Sequence, residues 1–243
     1  MRVFIETLGR EIISDYCFKG WLGAKNAGHD VSLMSLSTVS SIGKMGDARE
    51  GLKDVLPIGS VEYMKWFMTY VHKIPVPPPM MILPKRNCWT CTTKKELTYP
   101  CFVKPLEDVK RFTGFVAKSE KDFDLYPELS EFDGPYWCSE PFKEPILSEW
   151  RLFIHKRKIV NISCYAGDPT FLPPQSTIWW IRDSAEISPN PIAYTWDIAV
   201  FKSGVDIVEL NDMWAIGPYG CKEDEYFAML KDRWNQIVGT KDR

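Results

Sequence analysis

Residues 197–212 read Asp-Ile-Ala-Val-Phe-Lys-Ser-Gly-Val-Asp-Ile-Val-Glu-Leu-Asn-Asp, and this stretch decides the fold. Two apolar runs meet at Lys202-Ser203-Gly204, a turn signal, so the spacing predicts two strands paired as a hairpin. Strand side chains alternate between faces, which puts Glu209 and Asn211 on one face and turns Val208 and Leu210 into a core. If the two strands pair through the Ser203-Gly204 turn, Asp197 can reach the same face. Two carboxylates and a carboxamide are all oxygen donors, the set that a hard cation such as magnesium takes while keeping room for water and phosphate. On spacing alone, an exposed edge hairpin with solvated polar residues shows the same alternation.

Upstream lie three more patterns. Phe102-Val103-Lys104-Pro105 ends an apolar strand on a lysine stopped by proline, which fixes that charge in space. Lys110-Arg111-Phe112-Thr113-Gly114 follows, a basic loop with a hydroxyl and a glycine that could clamp a polyphosphate. It lacks the GxxxxGK[ST] spacing of a P-loop. Ser139-Glu140-Pro141-Phe142 leaves another strand, and Ser148-Glu149-Trp150-Arg151-Leu152-Phe153-Ile154 begins the next. There Glu149 and Arg151 share one face, opposite Trp150 and Leu152. Taken singly, these patterns also fit a solvated basic turn and a surface ion pair.

Short strand-like runs at 101–103, 115–117, 136–138, 150–154, 159–165, 193–201 and 207–210 suggest antiparallel sheets in the larger, C-terminal part. The N-terminal part reads differently. Strands at 3–5, 31–36 and 55–58 alternate with helices at 12–27 and from Glu62 onward, the rhythm of a small parallel α/β sheet. Pro75-Val76-Pro77-Pro78-Pro79 is a stiff connector, and a domain boundary falls there, giving 1–78 and 79–243.

In order, FVKP at 102–105, KRFTGFV at 110–116, SEP at 139–141, SEWRLFI at 148–154 and DIAVFKSGVDIVELND at 197–212 resemble the ATP-grasp superfamily, and in detail its R2K clade. The resemblance covers roughly 85–220. It implies an α/β pre-ATP-grasp domain, with Pro57-Ile58-Gly59-Ser60-Val61-Glu62 in it, followed by a two-lobed α+β ATP-grasp fold. The implied activity is a magnesium- and ATP-dependent, ADP-forming carboxylate–amine ligase working through an acyl phosphate. The implied partners are a carboxylate, from a small molecule or peptide, and an amine. On this pattern Lys104 contacts the ATP phosphates, with Lys110, Thr113 and Gly114 closing over them. Ser139, Glu140, Pro141 and Phe142 form the adenine hinge, and Arg151 holds the γ-phosphate or the phosphorylated intermediate. Asp197, Glu209 and Asn211 bind magnesium. The chain departs from the pattern in having one glycine in the loop after Lys104, and Glu144 and Glu149 compete for the ribose. Two alternatives stay open: an ATP-grasp kinase acting on an alcohol, and a silent nucleotide-binding interaction module.

With 30 Lys and Arg against 32 Asp and Glu, the chain has no global basic field to attract nucleic acid, although a local basic site remains open. Apolar runs are short and proline-broken, so no membrane span is expected. Seven cysteines, an odd number, fit a reducing cytoplasm. Cys88-Trp89-Thr90-Cys91 has no second CxxC for zinc. His29, His72 and His155 are scattered, and the ten tryptophans read as packing residues.

Overall fold

The computed structural model describes residues 1–12, 14–44, 50–80, 86–106, 111–129, 132–187 and 191–239. Strand β1 (Arg2–Glu6) lies between β2 (Asp30–Met34) and β3 (Val55–Ile58), parallel to both. Helix α1 (Asp15–Asn26) begins three residues later than its apolar spacing suggested. Ser14 is its N-cap, the Ser14 hydroxyl accepting from the Cys17 amide. Helix α2 (Leu36–Gly43) follows β2. After β3, Ser60 caps α3 (Val61–Trp66), which runs on into a π-helical turn, Phe67–His72.

The rest of the chain builds two antiparallel sheets, as expected. The smaller, in the order β4-β7-β5-β6, comprises β4 (Cys88–Cys91), β5 (Cys101–Pro105), β6 (Phe115–Ala117) and β7 (Tyr136–Ser139). The larger, β11-β10-β8-β9, comprises β8 (Ser148–His155), β9 (Lys158–Gly167), β10 (Ala193–Phe201) and β11 (Gly204–Asp212). Period-2 alternation sorts its two faces. Trp150, Leu152, Ile154, Trp196 and Ile198 share a core with Ile181 and Ala185 of α4 (Gln175–Ile187). Arg151, Phe153, Thr195 and Asp197 therefore face the other way.

That second face is backed by α5 (Glu223–Val238), and neither α4 nor α5 was expected from the sequence. Tyr226, Phe227, Met229, Leu230 and Trp234 of α5 enter one hydrophobic core with the parallel sheet, α3, Phe153 and Ala193. Gly23 permits the close packing of α1 on α5, because a methyl group there would collide with the Glu223 carbonyl and with Phe227. The connector runs between cores: Val76 packs against the core of the parallel sheet and Met80 against that of α4. No helix among the described residues is long and apolar enough to cross a membrane.

Candidate active site

A cleft of about 500 Å³ lies between the two antiparallel sheets and reaches the parallel-sheet unit at Val61. Lys104 and Trp137 contribute from the smaller sheet, Thr113 and Gly114 from the segment before β6, and Arg151, Glu209 and Asn211 from the larger sheet. Pro77, Pro78 and Pro79 wall it, as does the segment from Trp214 to Tyr219 after β11.

Register explains how distant residues converge. Asp197 stands opposite Glu209 on one side and opposite Arg151 on the other, and Arg151 stands opposite Ser163. The result is a polar row across the sheet: Glu209, Asp197, Arg151, Ser163. The pairing shifts between Asp197 and Ile198, a β-bulge at the acidic pair that leaves Val208 as the extra residue of β11.

The row is tightly bonded. Arg151 donates from Nε and Nη2 to the two Asp197 oxygens at 2.7 and 2.6 Å, and from Nη1 to the Gly217 carbonyl at 3.2 Å. Its guanidinium centre lies 4.6 Å from the Tyr219 ring, which stacks on Tyr165 at 5.0 Å. Asn211 donates to Asp197 at 3.1 Å and to Glu209 at 3.0 Å. From the opposite sheet, Lys104 Nζ donates to Glu209 at 3.0 Å and lies 4.9 Å from the centre of the Trp137 ring.

Titration follows from this burial. Desolvation is the largest influence on Asp197 and pushes its carboxyl up to about 6, the bonds from Arg151 holding it from going further. Burial opposes the charge on Arg151, but its bonds to Asp197 outweigh that and raise it. For Glu209, burial works upward, and the Lys104 charge with the Asn211 and Lys104 bonds overrides it and holds the carboxyl low. All three groups are thus charged at neutral pH.

The structure brings Lys104, Thr113, Gly114, Arg151, Asp197, Glu209 and Asn211 together. It does not bring Ser139, Glu140, Pro141, Phe142 or Glu149 to the cleft wall. Ser139 is fully buried and accepts from Arg86, and Glu140 accepts from the Asn87 side chain at 2.9 Å. Phe142 packs on Arg86 and Phe201. Glu149 accepts from the Tyr165 hydroxyl at 2.7 Å, and Glu144 from the Ser203 amide. Lys110 lies outside the described residues. Cys88 and Cys91 belong to β4 as free thiols.

Sequence reading missed Arg86. It donates to Ser139 Oγ at 3.1 Å, to the Ile207 carbonyl at 2.9 Å and to the Val208 carbonyl at 3.3 Å. It thereby ties β7 of one sheet to β11 of the other. It also missed Tyr165 and Tyr219: Gly217-Pro218-Tyr219-Gly220 is a turn signal, but no local pattern announces that the two rings stack.

No curated protein sequence matches the chain. Among solved structures, a D-alanine–D-alanine ligase from Bacillus anthracis superposes with a TM-score of 0.58 at 12% identity, covering 98% of this chain and 99% of that one. The ligase complexed with ATP gives 0.54 at 10%, covering 98% of each chain. An N5-carboxyaminoimidazole synthetase from Staphylococcus aureus complexed with ADP gives 0.52 at 10%, covering 100% of this chain and 78% of that one. At such identities the likeness establishes the fold. Residues 84–229, more than half of the chain, match the model of the ATP-grasp domain, R2K clade family 2, and the protein belongs to that family.

Proposed function

We propose that the protein is a magnesium- and ATP-dependent, ADP-forming carboxylate–amine ligase that works through an acyl phosphate. The observation that carries this reading is the charged row of Glu209, Asp197 and Arg151, with Asn211 beside it and Lys104 facing it across the cleft. The names of the similar folds, a ligase and a synthetase, agree with it.

The donor set fits the metal. Asp197, Glu209 and Asn211 offer only hard oxygens, and the two carboxylates stand in register on neighbouring strands. Bound there with nucleotide, magnesium would neutralise charge developing on the phosphates. The chain's own residues do the rest. Phosphate oxygens would draw Lys104 away from Glu209, releasing that carboxylate to act as a metal donor. Arg151 has five N–H groups, of which three are engaged as described, leaving two for phosphoryl oxygens. Because Asp197 and Gly217 already fix the guanidinium, little reorganisation would accompany the reaction.

A carboxylate oxygen attacks the γ-phosphorus and the bond to the β-phosphate oxygen breaks, releasing ADP. The amine then attacks the acyl carbon, phosphate leaves, and the nitrogen gives up a proton as the amide forms. The test is to supply ATP, magnesium and a panel of carboxylates with hydroxylamine in place of the amine. Hydroxamate should form in proportion to ADP. A stable phosphorylated product that survives hydroxylamine would overturn the ligase reading in favour of a kinase.

A further inference from the structure

The cleft is chemically two-sided, and its order along β11 separates the ends. Arg86 ties the Ser139 hinge to the Ile207 and Val208 carbonyls at one end of this segment. Glu209 and Asn211 come next, then the segment from Trp214 to Tyr219, whose Trp214 packs into the core that contains Val61. If phosphates occupy the middle, the base lies toward Val208 and the acceptor toward Tyr219. This step rests on the ligase reading.

The acceptor end offers few polar groups. Three consecutive prolines, Pro77–Pro79, have no N–H to give. Among the described lining residues, every charged group already has a partner: Lys104 with Glu209, Arg151 with Asp197, and Asp212 with Arg233 at 2.7 Å. A second charge on the acceptor would be desolvated there without a counterion.

Tyr219 gives this end its surface. It holds a φ of 34°, a left-handed conformation that side chains other than glycine rarely keep, and such strain concentrates at ligand sites. The turn around it is pinned from three elements. Arg151 donates to the Gly217 carbonyl, Tyr226 to the Ile216 carbonyl at 2.7 Å, and Lys19 to the Cys221 carbonyl at 2.6 Å. The ring stacks on Tyr165 and lies beside Arg151, and the residue remains 43% exposed. A cationic acceptor group would meet Arg151 at this ring, so the open surface suits an uncharged body.

We infer that the Tyr219 ring, the Pro77–Pro79 wall and Ile216 form an acceptor subsite selective for monocarboxylic acids with an apolar, ring-bearing body, whose carboxylate lies toward Arg151. Tyr219 is the specificity-determining residue.

The test uses benzoate, acetate and succinate as probes, titrated by calorimetry into the full chain with magnesium and the β,γ-imido analogue of ATP, and again without nucleotide. Benzoate should bind about tenfold or more tightly than acetate or succinate, since the ring adds apolar area against an aromatic wall. Tyr219→Ala should remove that preference and Tyr219→Phe should keep it. Succinate or acetate binding as well as benzoate would overturn the inference. So would no benzoate binding to a protein that takes the nucleotide, or an undiminished preference in Tyr219→Ala. A chain that binds none of the nucleotide refutes the ligase reading instead, and the titrations without nucleotide still report the selectivity.

Discussion

Arg151 grips both oxygens of Asp197 from the neighbouring strand, with side chains only 5% and 2% exposed. Removing one partner of such a pair strands a buried charge, which costs about 3–5 kcal/mol, whereas replacing both with apolar residues of similar volume is often neutral. Arg151→Ala should therefore lower unfolding stability by about 3–5 kcal/mol, and Arg151→Met with Asp197→Leu should regain most of it while forming no ADP. Urea unfolding measures both. A single-variant loss below about 1 kcal/mol would mean that the pair is solvated.

Lys104 and Glu209 make the opposite case. Their side chains are 31% and 33% exposed, so the pair adds only about 0–1 kcal/mol to stability. A charge-assisted contact to phosphate contributes about 1.5–3 kcal/mol, so Lys104→Ala should weaken ATP roughly ten- to hundredfold while melting is almost unchanged. Glu209→Gln should likewise fold normally but lose magnesium-dependent ADP release. Unaltered ATP affinity in the lysine variant would take Lys104 out of the nucleotide site.

Away from the cleft, acid sensitivity should come from the contact between β8 and α5. His155 Nε2 lies 2.9 Å from Asp232, and Lys156 reaches the same carboxylate at 2.8 Å. Burial holds His155 below its ordinary value, more than the Asp232 bond restores. Burial acts upward on Asp232, but the Lys156 and His155 bonds prevail and hold it low. Both groups bind protons less readily when folded than unfolded. Stability is therefore fully present above the ordinary histidine value of about 6.5 and falls as pH drops below it. A second loss follows below the ordinary aspartate value of about 3.9, as Asp232 gains its proton. Thermal melts across this range should show the first decline, and His155→Gln should lessen it, while part of the second persists because Lys156 still holds Asp232 low.

Legibility in the sequence followed the range of the forces involved. The β10–β11 hairpin could be read because period-2 alternation and a Ser-Gly turn are local; regular pairing from that turn sets Asp197 opposite Val208, and the bulge that sets it opposite Glu209 instead leaves no such signal. Helix α5 also carries a local signal, apolar residues at 226, 227, 230 and 234, with the spacing of one helical face. Ser139 and Glu140 illustrate a different limit. The pattern marks them as a hinge, but it does not show that Arg86 and Asn87, more than fifty residues earlier, bond to their side chains. Tyr219 sits in a local Gly-Pro-Tyr-Gly turn, but its surroundings come from Tyr165 and Arg151, two non-local partners that leave no periodicity behind.

Arg86 provides the last prediction, because it touches both sheets without lining the cleft. Its guanidinium reaches Ser139 Oγ, two β11 carbonyls and, at 3.5 Å, Asp206, and it lies 4.2 Å from the centre of the Phe142 ring. A lysine keeps the charge, but a single ammonium cannot meet acceptors spread over two strands, nor can it stack as a planar group. Arg86→Lys should leave at least one buried acceptor unpaired, at a cost of about 1–3 kcal/mol. It should also weaken ATP, because the spacing of Lys104 from Glu209 depends on the two sheets being held together. Asp232→Asn is the control, since it loosens α5 without touching the contact of Arg86 with Ser139 and β11. At temperatures where both variants remain fully folded, Arg86→Lys should bind ATP distinctly more weakly than the control. Equal affinities would show that Arg86 stabilises the fold without setting the width of the cleft.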